Sequence, residues 1–496
     1  MSILISHTVD KFRSEPYDKV FSEYGPVYFG IHDFDDEKNF LDGRYINFLA
    51  TRPSNINNEF IEYAETYEKN TEELYRTARK AIFDKYCYFL TRINGAYLGG
   101  IYDYLYYFRI HVKAAARFLD ENQIKFVILG LPAGGFDNIL WHVAKEMGIC
   151  RIGLFQAHND RFFWLKDLND MGTFSTSLPI FQSQNIQVQK KISDPFYMAK
   201  YRKPKLKKKS YFLLKDILRP LYYATSLCKM ILKHNFNIKI YKPTDWLFSA
   251  NKSRFLSQKY IQKTSNLLRS TLEKDYISEK NQSIKIILFL KVQPEAKEAF
   301  GDLYYDDQLL IIDKLQNISS HNAEIYIKEH PAERINDSMS RANFWNSISK
   351  KKNIFVLPAD KKSSSLLNSF DIVATADGTI GWEAIRNFKP VICFEKPWYL
   401  SMPGVFEANK ISNLERILKE KWTLEDINKT FTNLTKKMGF GYIIHTEKGY
   451  INSSDAITNF EYLTDEQKKK KLLNNDEVVA DSFYKIFLNT YLKQKK

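Results

Sequence analysis

Three short polar motifs follow apolar, strand-like segments in the second half of the chain. Residues 293–296 are Gln-Pro-Glu-Ala, residues 328–331 are Lys-Glu-His-Pro, and residues 377–384 are Asp-Gly-Thr-Ile-Gly-Trp-Glu-Ala. Open α/β sheets bind ligands at the edge where the carboxyl ends of their parallel strands meet, so we expect the three motifs to lie there. Their side chains are suited to holding a phosphorylated ligand and to moving a proton.

Residues 377–384 predict an anion site at the start of a helix. The helix is expected to begin near Thr379, so backbone N–H groups and the Thr379 hydroxyl would face a ligand. Gly378 and Gly381 would let the backbone approach that ligand closely. Glu383, in the first turn, could bind a ribose or sugar hydroxyl. The same pattern also fits an ordinary capped turn between a strand and a helix.

His330 and Glu295 are the candidates for proton chemistry. His330 can donate to a phosphate or to a developing anion, and Pro331 restricts it to extended backbone. A structural hydrogen bond at a strand end is the alternative for His330. Glu295 could act as a general base or a nucleophile at the same edge. It could equally pair with Lys291 or Lys297.

Strand-like and helical segments alternate through the second half of the chain. This alternation predicts a parallel sheet with helices on both faces. Residues 125–156 show the same pattern, with a glycine-rich turn after the first strand. The sequence therefore predicts a two-domain α/β protein with a cleft between the domains. The predicted strands of the second half are 284–290, 323–328, 353–357, 371–375 and 390–394, and the predicted helices are 305–315, 338–349, a short one at 363–369 opened by hydroxyl caps, and 379–387.

The predicted domains differ in character. Residues 1–185 are predicted to form an N-terminal α/β domain, and residues 283–430 a second, Rossmann-like α/β domain. Residues 186–282 are predicted to be a basic, mostly helical connector, and residues 431–496 a helical C-terminal tail.

The net charge is +15 and the isoelectric point is about 9.2. The excess is concentrated in residues 201–235, which hold ten Lys or Arg and a single acid, Asp216. Basic and apolar residues alternate there at helical spacing, which suits an anionic membrane surface. A solvated helix face packed on the body of the protein is the alternative, and no nucleic-acid-binding motif is present. The residues predicted to contact the membrane are Lys207, Lys208 and Lys209.

The cysteines and the apolar runs bear on location. Cys87, Cys150, Cys228 and Cys393 are far apart, which favours free thiols in a reducing compartment. No leader is expected at the N-terminus, and no window approaches the ~18 apolar residues of a membrane helix. The acidic loop around Asp33 and Asp35 lacks metal-ligand spacing, so neither a metal nor a cofactor is predicted. The expected location is the cytoplasm, where the basic segment could reach the inner membrane.

Taken together, the motifs of the second half resemble the bacterial capsular polysaccharide biosynthesis family, which includes the Kdo transferases of capsule and O-antigen assembly. The His-Pro and Ser-Ser-Leu-Leu elements are also similar to CDP-glycerol glycerophosphotransferases of teichoic acid synthesis. The resemblance covers residues 284–410 and is weaker over 125–175. It implies a GT-B-like fold with two Rossmann-like domains facing a cleft, in which residues 1–185 would form the acceptor-side domain and residues 283–430 would bind a nucleotide sugar. It also implies a nucleotide-activated donor and no metal. The motifs concerned are 293–296, 305–308 (Tyr-Asp-Asp-Gln), 328–331, 364–367, 378–384 and 389–391.

The resemblance also implies roles for individual residues. His330 would contact the donor phosphate or nucleoside, Glu383 would hold the ribose or sugar, and Glu295 is the nearest match to a catalytic acid. In the first half, Asp137 could be a base toward the acceptor or simply a carboxylate favoured at a helix N-terminus. Gln156 and His158 are expected to face the cleft. The full predicted donor-binding set is Gln293, Lys328, His330, Ser364, Ser365, Asp377, Gly378, Thr379 and Glu383.

The sequence thus predicts a glycosyltransferase of surface polysaccharide synthesis. Its donor is expected to be a nucleotide sugar, with a CMP-linked, Kdo-like sugar favoured, and its acceptor a lipid-linked chain or an oligosaccharide. One alternative is transfer of a phosphorylated polyol from a CDP donor. Another is a non-catalytic scaffold for capsule assembly.

Overall fold

The computed structural model shows two mostly parallel sheets flanked by helices, as predicted. It describes residues 2–6, 14–31, 45–47, 115–130, 135–157, 161–167, 170–174, 177–182, 269–273, 283–291, 305, 307–319, 323–330, 342–358, 361–443 and 464–492.

The first sheet has seven strands. They are β1 (Ser2–Ser6), β2 (Val27–Ile31), β3 (Tyr45–Asn47), β4 (Ile124–Leu129), β5 (Cys150–Gln156), β6 (Arg161–Leu165) and β13 (Met438–Phe440). Their order is β13-β6-β5-β4-β1-β2-β3, and β1 pairs in parallel with both β2 and β4. Strand β6 runs antiparallel to β5 and β13. Strand β1 is not predicted from the sequence, because three consecutive apolar residues between serines are too few to show a periodicity.

The second sheet has six strands, and every neighbouring pair is parallel. They are β7 (Ile284–Phe289), β8 (Ala323–Lys328), β9 (Ile354–Leu357), β10 (Ile372–Thr375), β11 (Val391–Cys393) and β12 (Val405–Glu407), in the order β12-β11-β10-β7-β8-β9. Phe289 at the end of β7 lies opposite both Lys328 and Thr375. The strands therefore end level with one another, as the motif spacing requires.

Of the helices predicted for the second half, those expected at 363 and 379 begin at the predicted residues, and the one expected at 305 begins three residues later. The bounds are α1 (Glu15–Phe21), α2 (Gly135–Glu146), α3 (Gln308–Ser319), α4 (Ala342–Ser349), α5 (Ser363–Leu366), α6 (Thr379–Ile385), α7 (Leu414–Lys419), α8 (Leu424–Thr435) and α9 (Asp465–Phe487). The expected hydroxyl cap at α5 is wrong. Extended Lys362 occupies the N-cap without a side-chain hydrogen bond, and the Ser365 hydroxyl donates back to the Lys362 carbonyl at 2.8 Å.

Both faces of the second sheet are buried, because helices cover each side of a parallel sheet. Along β7, Ile286 and Leu288 belong to one apolar cluster, and Ile287 and Phe289 belong to another. The cluster that contains Ile287 and Phe289 also contains Phe163 of β6, whose ring lies 6.3 Å from that of Trp398. The two sheets therefore share part of one apolar core.

The C-terminal residues return to the first sheet. Strand β13 extends that sheet, and α9 packs Phe483 into its core. Gln156 has a structural role in this return. Its side-chain amide donates to the Arg161 carbonyl and its oxygen accepts from the Ile443 N–H, both at 2.7 Å. In the described part of the chain, no helix is both long and apolar enough to cross a membrane.

Candidate active site

Nearly inaccessible charged residues gather at the carboxyl edge of the second sheet. They end or directly follow β7, β8, β10 and β11, whose neighbours lie about 4.8 Å apart. A buried charge is costly unless it is paired and hydrogen-bonded, and such groups concentrate where a protein binds or transforms a ligand. The members are Lys291, Lys328, Glu329, Asp377 and Glu395.

Lys291 and Glu395 form an ion pair across this edge. Lys291 Nζ lies 2.6 Å from Glu395 Oε1, and the two side chains are 4% and 5% exposed. From the sequence, Lys291 is expected only as a possible partner of Glu295, which lies outside the described residues, and Glu395 is not predicted to take part. The available signal was that each residue comes directly after an apolar strand segment. Nothing in the sequence pairs them, because 104 residues separate them.

Gln308 fixes the backbone of Lys291. Its side-chain oxygen accepts from the Lys291 N–H and its amide group donates to the Lys291 carbonyl, both at 3.2 Å. Tyr305 braces the same region, since its hydroxyl donates to Asn409 Oδ1 at 2.9 Å and its ring packs against Phe394 at 5.3 Å. The motif at 305–308 therefore has a bracing role in this structure.

The motif at 328–331 divides into a buried part and an accessible part. Lys328 is 1% exposed, and its Nζ donates to the Glu329 carbonyl at 3.5 Å. The Glu329 carboxylate accepts from Arg269 at 2.8 Å. His330 is half-buried and so reaches the protein surface. Of these groups, His330 is the one whose side chain is partly accessible to solvent.

The turn between β10 and α6 is held by its own hydrogen bonds. Gly378 is the N-cap of α6, and its N–H donates to the Thr375 hydroxyl at 3.1 Å. The Gly381 N–H donates to the Gly378 carbonyl at 3.0 Å. Thr379, at the first helical position, is exposed, whereas Glu383 is buried on the same helix.

Tyr399 lies under this turn. It is fully buried, and its hydroxyl donates to the Gly378 carbonyl. Burial, followed by the nearby Cys393 and Asp377, raises the pKa of Tyr399 well above its ordinary value. The Tyr399 hydroxyl therefore stays protonated at physiological pH and can donate this hydrogen bond.

Gly381 makes room for Tyr399. A Cβ at this position would lie 2.2 Å from Tyr399 Oη and 2.7 Å from its Cζ. The prediction that Gly381 admits a ligand is therefore replaced by a packing requirement. At Gly378, a Cβ would lie 2.8 Å from the Thr375 hydroxyl oxygen, so this glycine too is closely approached by its own protein.

Gly381→Ala should lower the free energy of unfolding by about 1–3 kcal/mol, the usual cost of overpacking a core. Urea unfolding would measure it. Adding Tyr399→Phe should recover only part of the loss, because the ring carbon Cζ still lies too close. A Gly381→Ala protein as stable as the native one would contradict this account of the turn.

For the other predicted site residues, the structure gives mainly the helix on which each lies. Ser364 and Ser365 lie on α5, and the Ser365 side chain is exposed. Asp137 lies in the first turn of α2, which follows β4 at the carboxyl edge of the first sheet. Among the described residues, no group of three or more His, Cys, Asp or Glu could hold a metal ion. The residues of the sequence analysis that lie outside the described ranges are Gln293, Glu295, His158, Asp33, Asp35 and the predicted membrane residues Lys207, Lys208 and Lys209.

Comparison with solved structures gives weak likenesses. Two are Kdo transferases of Thermosulfurimonas dismutans KpsC. The β-Kdo 2,7 transferase is 12% identical over 73% of this chain and 89% of its own, with a TM-score of 0.30. The β-Kdo 2,4 transferase is 13% identical over 62% and 78%, with a TM-score of 0.27. The UDP-GlcNAc 2-epimerase of Methanocaldococcus jannaschii is 11% identical over 88% and 98%, with a TM-score of 0.23.

Comparison with protein families is more informative. No curated protein matches the chain. Residues 232–433 match the family model described as "Capsule polysaccharide biosynthesis protein". This segment contains all six strands of the second sheet and the motifs of residues 284–410 that resemble the family. It does not include residues 125–175, where the resemblance is weaker. The match therefore confirms that residues 232–433 resemble the capsule polysaccharide biosynthesis family.

Proposed function

We propose that the protein is a glycosyltransferase of bacterial capsule or O-antigen synthesis that takes a sugar from a nucleotide-activated donor. The observation that carries the proposal is the family match over the same sheet whose strand ends gather buried charged side chains. Open α/β sheets bind nucleotides at this edge. The donor would lie against the turn at 377–379 and His330.

The donor is proposed to be a CMP-linked, Kdo-like sugar, handled without a metal. When the sugar leaves, negative charge develops on the nucleotide phosphate. Prearranged donors can stabilise that charge, and the candidates are His330 and the N–H groups of Thr379 and Ile380, which the helix itself does not use. The hydroxyls of Thr379, Ser364 and Ser365 would complete the phosphate site, and Glu383 would support the ribose or sugar.

The acceptor is proposed to be a lipid-linked chain or an oligosaccharide that enters between the two sheets. Asp137, after β4, and Glu295, after β7, are the proposed proton acceptors or nucleophile. In the sequence, each comes shortly after a strand of a different sheet, which suits a donor and an acceptor held by separate domains.

His330→Ala should lower kcat/KM by about 100-fold or more, the range for a positioned acid or base. Its unfolding midpoint should change little, because the imidazole is only half-buried. The measurement is turnover of a CMP-sugar with an oligosaccharide acceptor. His142→Ala, a matched change on α2 in the first half, is the control that should keep activity. Full activity in His330→Ala would remove His330 from the site.

A thermal-shift screen with CMP, CDP, UDP and GDP tests the ligand class, since a ligand that binds only the folded state raises the unfolding temperature. Stabilisation by CMP supports the proposal. Stabilisation by CDP, together with a phosphodiester product, would favour the polyol phosphotransferase instead. Protein unaffected by all four nucleotides would favour the scaffold.

The basic segment is proposed to hold the enzyme at the cytoplasmic face of the inner membrane. Each Lys or Arg near an anionic surface contributes about 1 kcal/mol. Changing Lys207, Lys208 and Lys209 together to Glu should therefore abolish flotation with anionic phosphatidylglycerol vesicles at moderate salt. Changing Lys419 and Lys421 to Glu is the control. Unaltered flotation of the triple variant would exclude these lysines as the contact.

A further inference from the structure

The buried pair of Lys291 and Glu395 spans the end of a third strand. Lys291 follows β7 and Glu395 follows β11, and β10 lies between those two strands in the sheet. The ion pair at 2.6 Å thus closes over the point where β10 passes into the turn at 376–379.

Backbone hydrogen bonds connect the pair to that turn. The Glu395 N–H donates to the Ala376 carbonyl at 2.9 Å, and the Phe394 N–H donates to the Thr375 carbonyl at 3.2 Å. The Thr375 hydroxyl in turn accepts from the Gly378 N–H. On the other side, the Gln308 amide fixes Lys291 through both of its backbone groups. A displacement of Glu395 would therefore be transmitted to Gly378.

The energetic cost of this buried ion pair indicates that it does more than hold the strands of the sheet together. Removing two charges from water costs several kcal/mol per ion, and well-packed apolar residues would usually hold strands together at least as well. A buried ion pair constrains the direction and the distance between its two charged groups more tightly than apolar contacts do. Next to the turn at 376–379, such a constraint would hold the turn in one geometry.

We infer that Lys291 and Glu395 are positioning residues for the phosphate-binding turn at 376–379. They act through Ala376, Thr375 and Gly378 and do not touch the donor. The identity of the ligand at this turn rests on the proposed function, whereas the positioning itself is a property of the free protein.

Hydrogen exchange of the free protein tests the positioning directly. In Glu395→Gln and Lys291→Met, the amides of residues 376–381 should exchange at least tenfold faster than the measured loss of global stability alone accounts for. The amides of β8 should accelerate only as far as global stability falls. The charge-swapped variant Lys291→Glu/Glu395→Lys should restore much of the protection, and it keeps the test possible if a single variant does not fold. Equal acceleration in the turn and in β8 would overturn the inference.

Nucleotide affinity separates this inference from the proposed function. Calorimetric titration with CMP should give a Kd at least tenfold weaker for Glu395→Gln, measured where the variant is fully folded. Lys351→Met, which removes a cation from a pair with Asp313 near the opposite edge of the sheet, should bind as the native protein does. If the native protein binds no nucleotide while the turn still loses protection in Glu395→Gln, the proposed donor site is wrong and the positioning role of the pair is supported. If Glu395→Gln binds CMP as tightly as the native protein and its turn stays protected, the positioning role is wrong.

Discussion

Lys291→Met is expected to lower the free energy of unfolding by about 3–5 kcal/mol, the cost of removing one partner of a buried ion pair. The cost comes from Glu395, whose carboxylate would remain 5% exposed without its ammonium partner. Met has nearly the length of Lys, so lost packing contributes little. A loss of this size is a large fraction of the stability of an ordinary domain.

Urea or guanidinium unfolding would measure this loss. The double variant Lys291→Met/Glu395→Leu should recover most of it, because no buried charge is then left unpaired. Lys351→Met is the matched control. Its partner Asp313 is about half exposed, and surface pairs contribute about 0–1 kcal/mol. A Lys291→Met protein within 1 kcal/mol of native would show that water or another cation reaches Glu395.

Phe483→Ala is expected to lower the free energy of unfolding by about 3–5 kcal/mol, the range for truncating a buried Phe. Phe483 is fully buried, and its ring packs 5.7 Å from Phe162 of the first sheet and 5.8 Å from Tyr17 of α1. The ring therefore anchors the C-terminal helix to the N-terminal core. Its loss leaves a cavity where three elements meet.

The measurement for Phe483→Ala is again denaturant unfolding, with limited proteolysis reporting whether α9 detaches. Val478→Ala on the same helix is the control. Val478 is 45% exposed, so its truncation should change stability by no more than about 0.5 kcal/mol. If Phe483→Ala matched this control, α9 would not be an integral part of the first sheet's core.

The sequence determines five of the six strands of the second sheet, because each of these is a mostly apolar run bounded by polar residues or breakers. The sixth, β12, is only Val-Phe-Glu and is not predicted. The sequence also places His330 and the turn at 377–379 just beyond strand ends, and both positions are confirmed by β8 and β10. These are local properties, since strand length, burial and turn chemistry are written in adjacent residues. The chemical roles of these residues stay predictions.

The tertiary structure decides which distant residues meet. Strand order in the second sheet brings Lys291 to Glu395, and strand order in the first sheet brings β13 to β6. No local pattern encodes either partner. Gly381 shows the same limit, since its neighbour in space is Tyr399 and a missing Cβ looks alike in sequence whether a ligand or a ring fills the gap. The sequence by itself therefore determines the strands and the residues at their ends, and the fold determines which of those residues hold the site and which can reach a ligand.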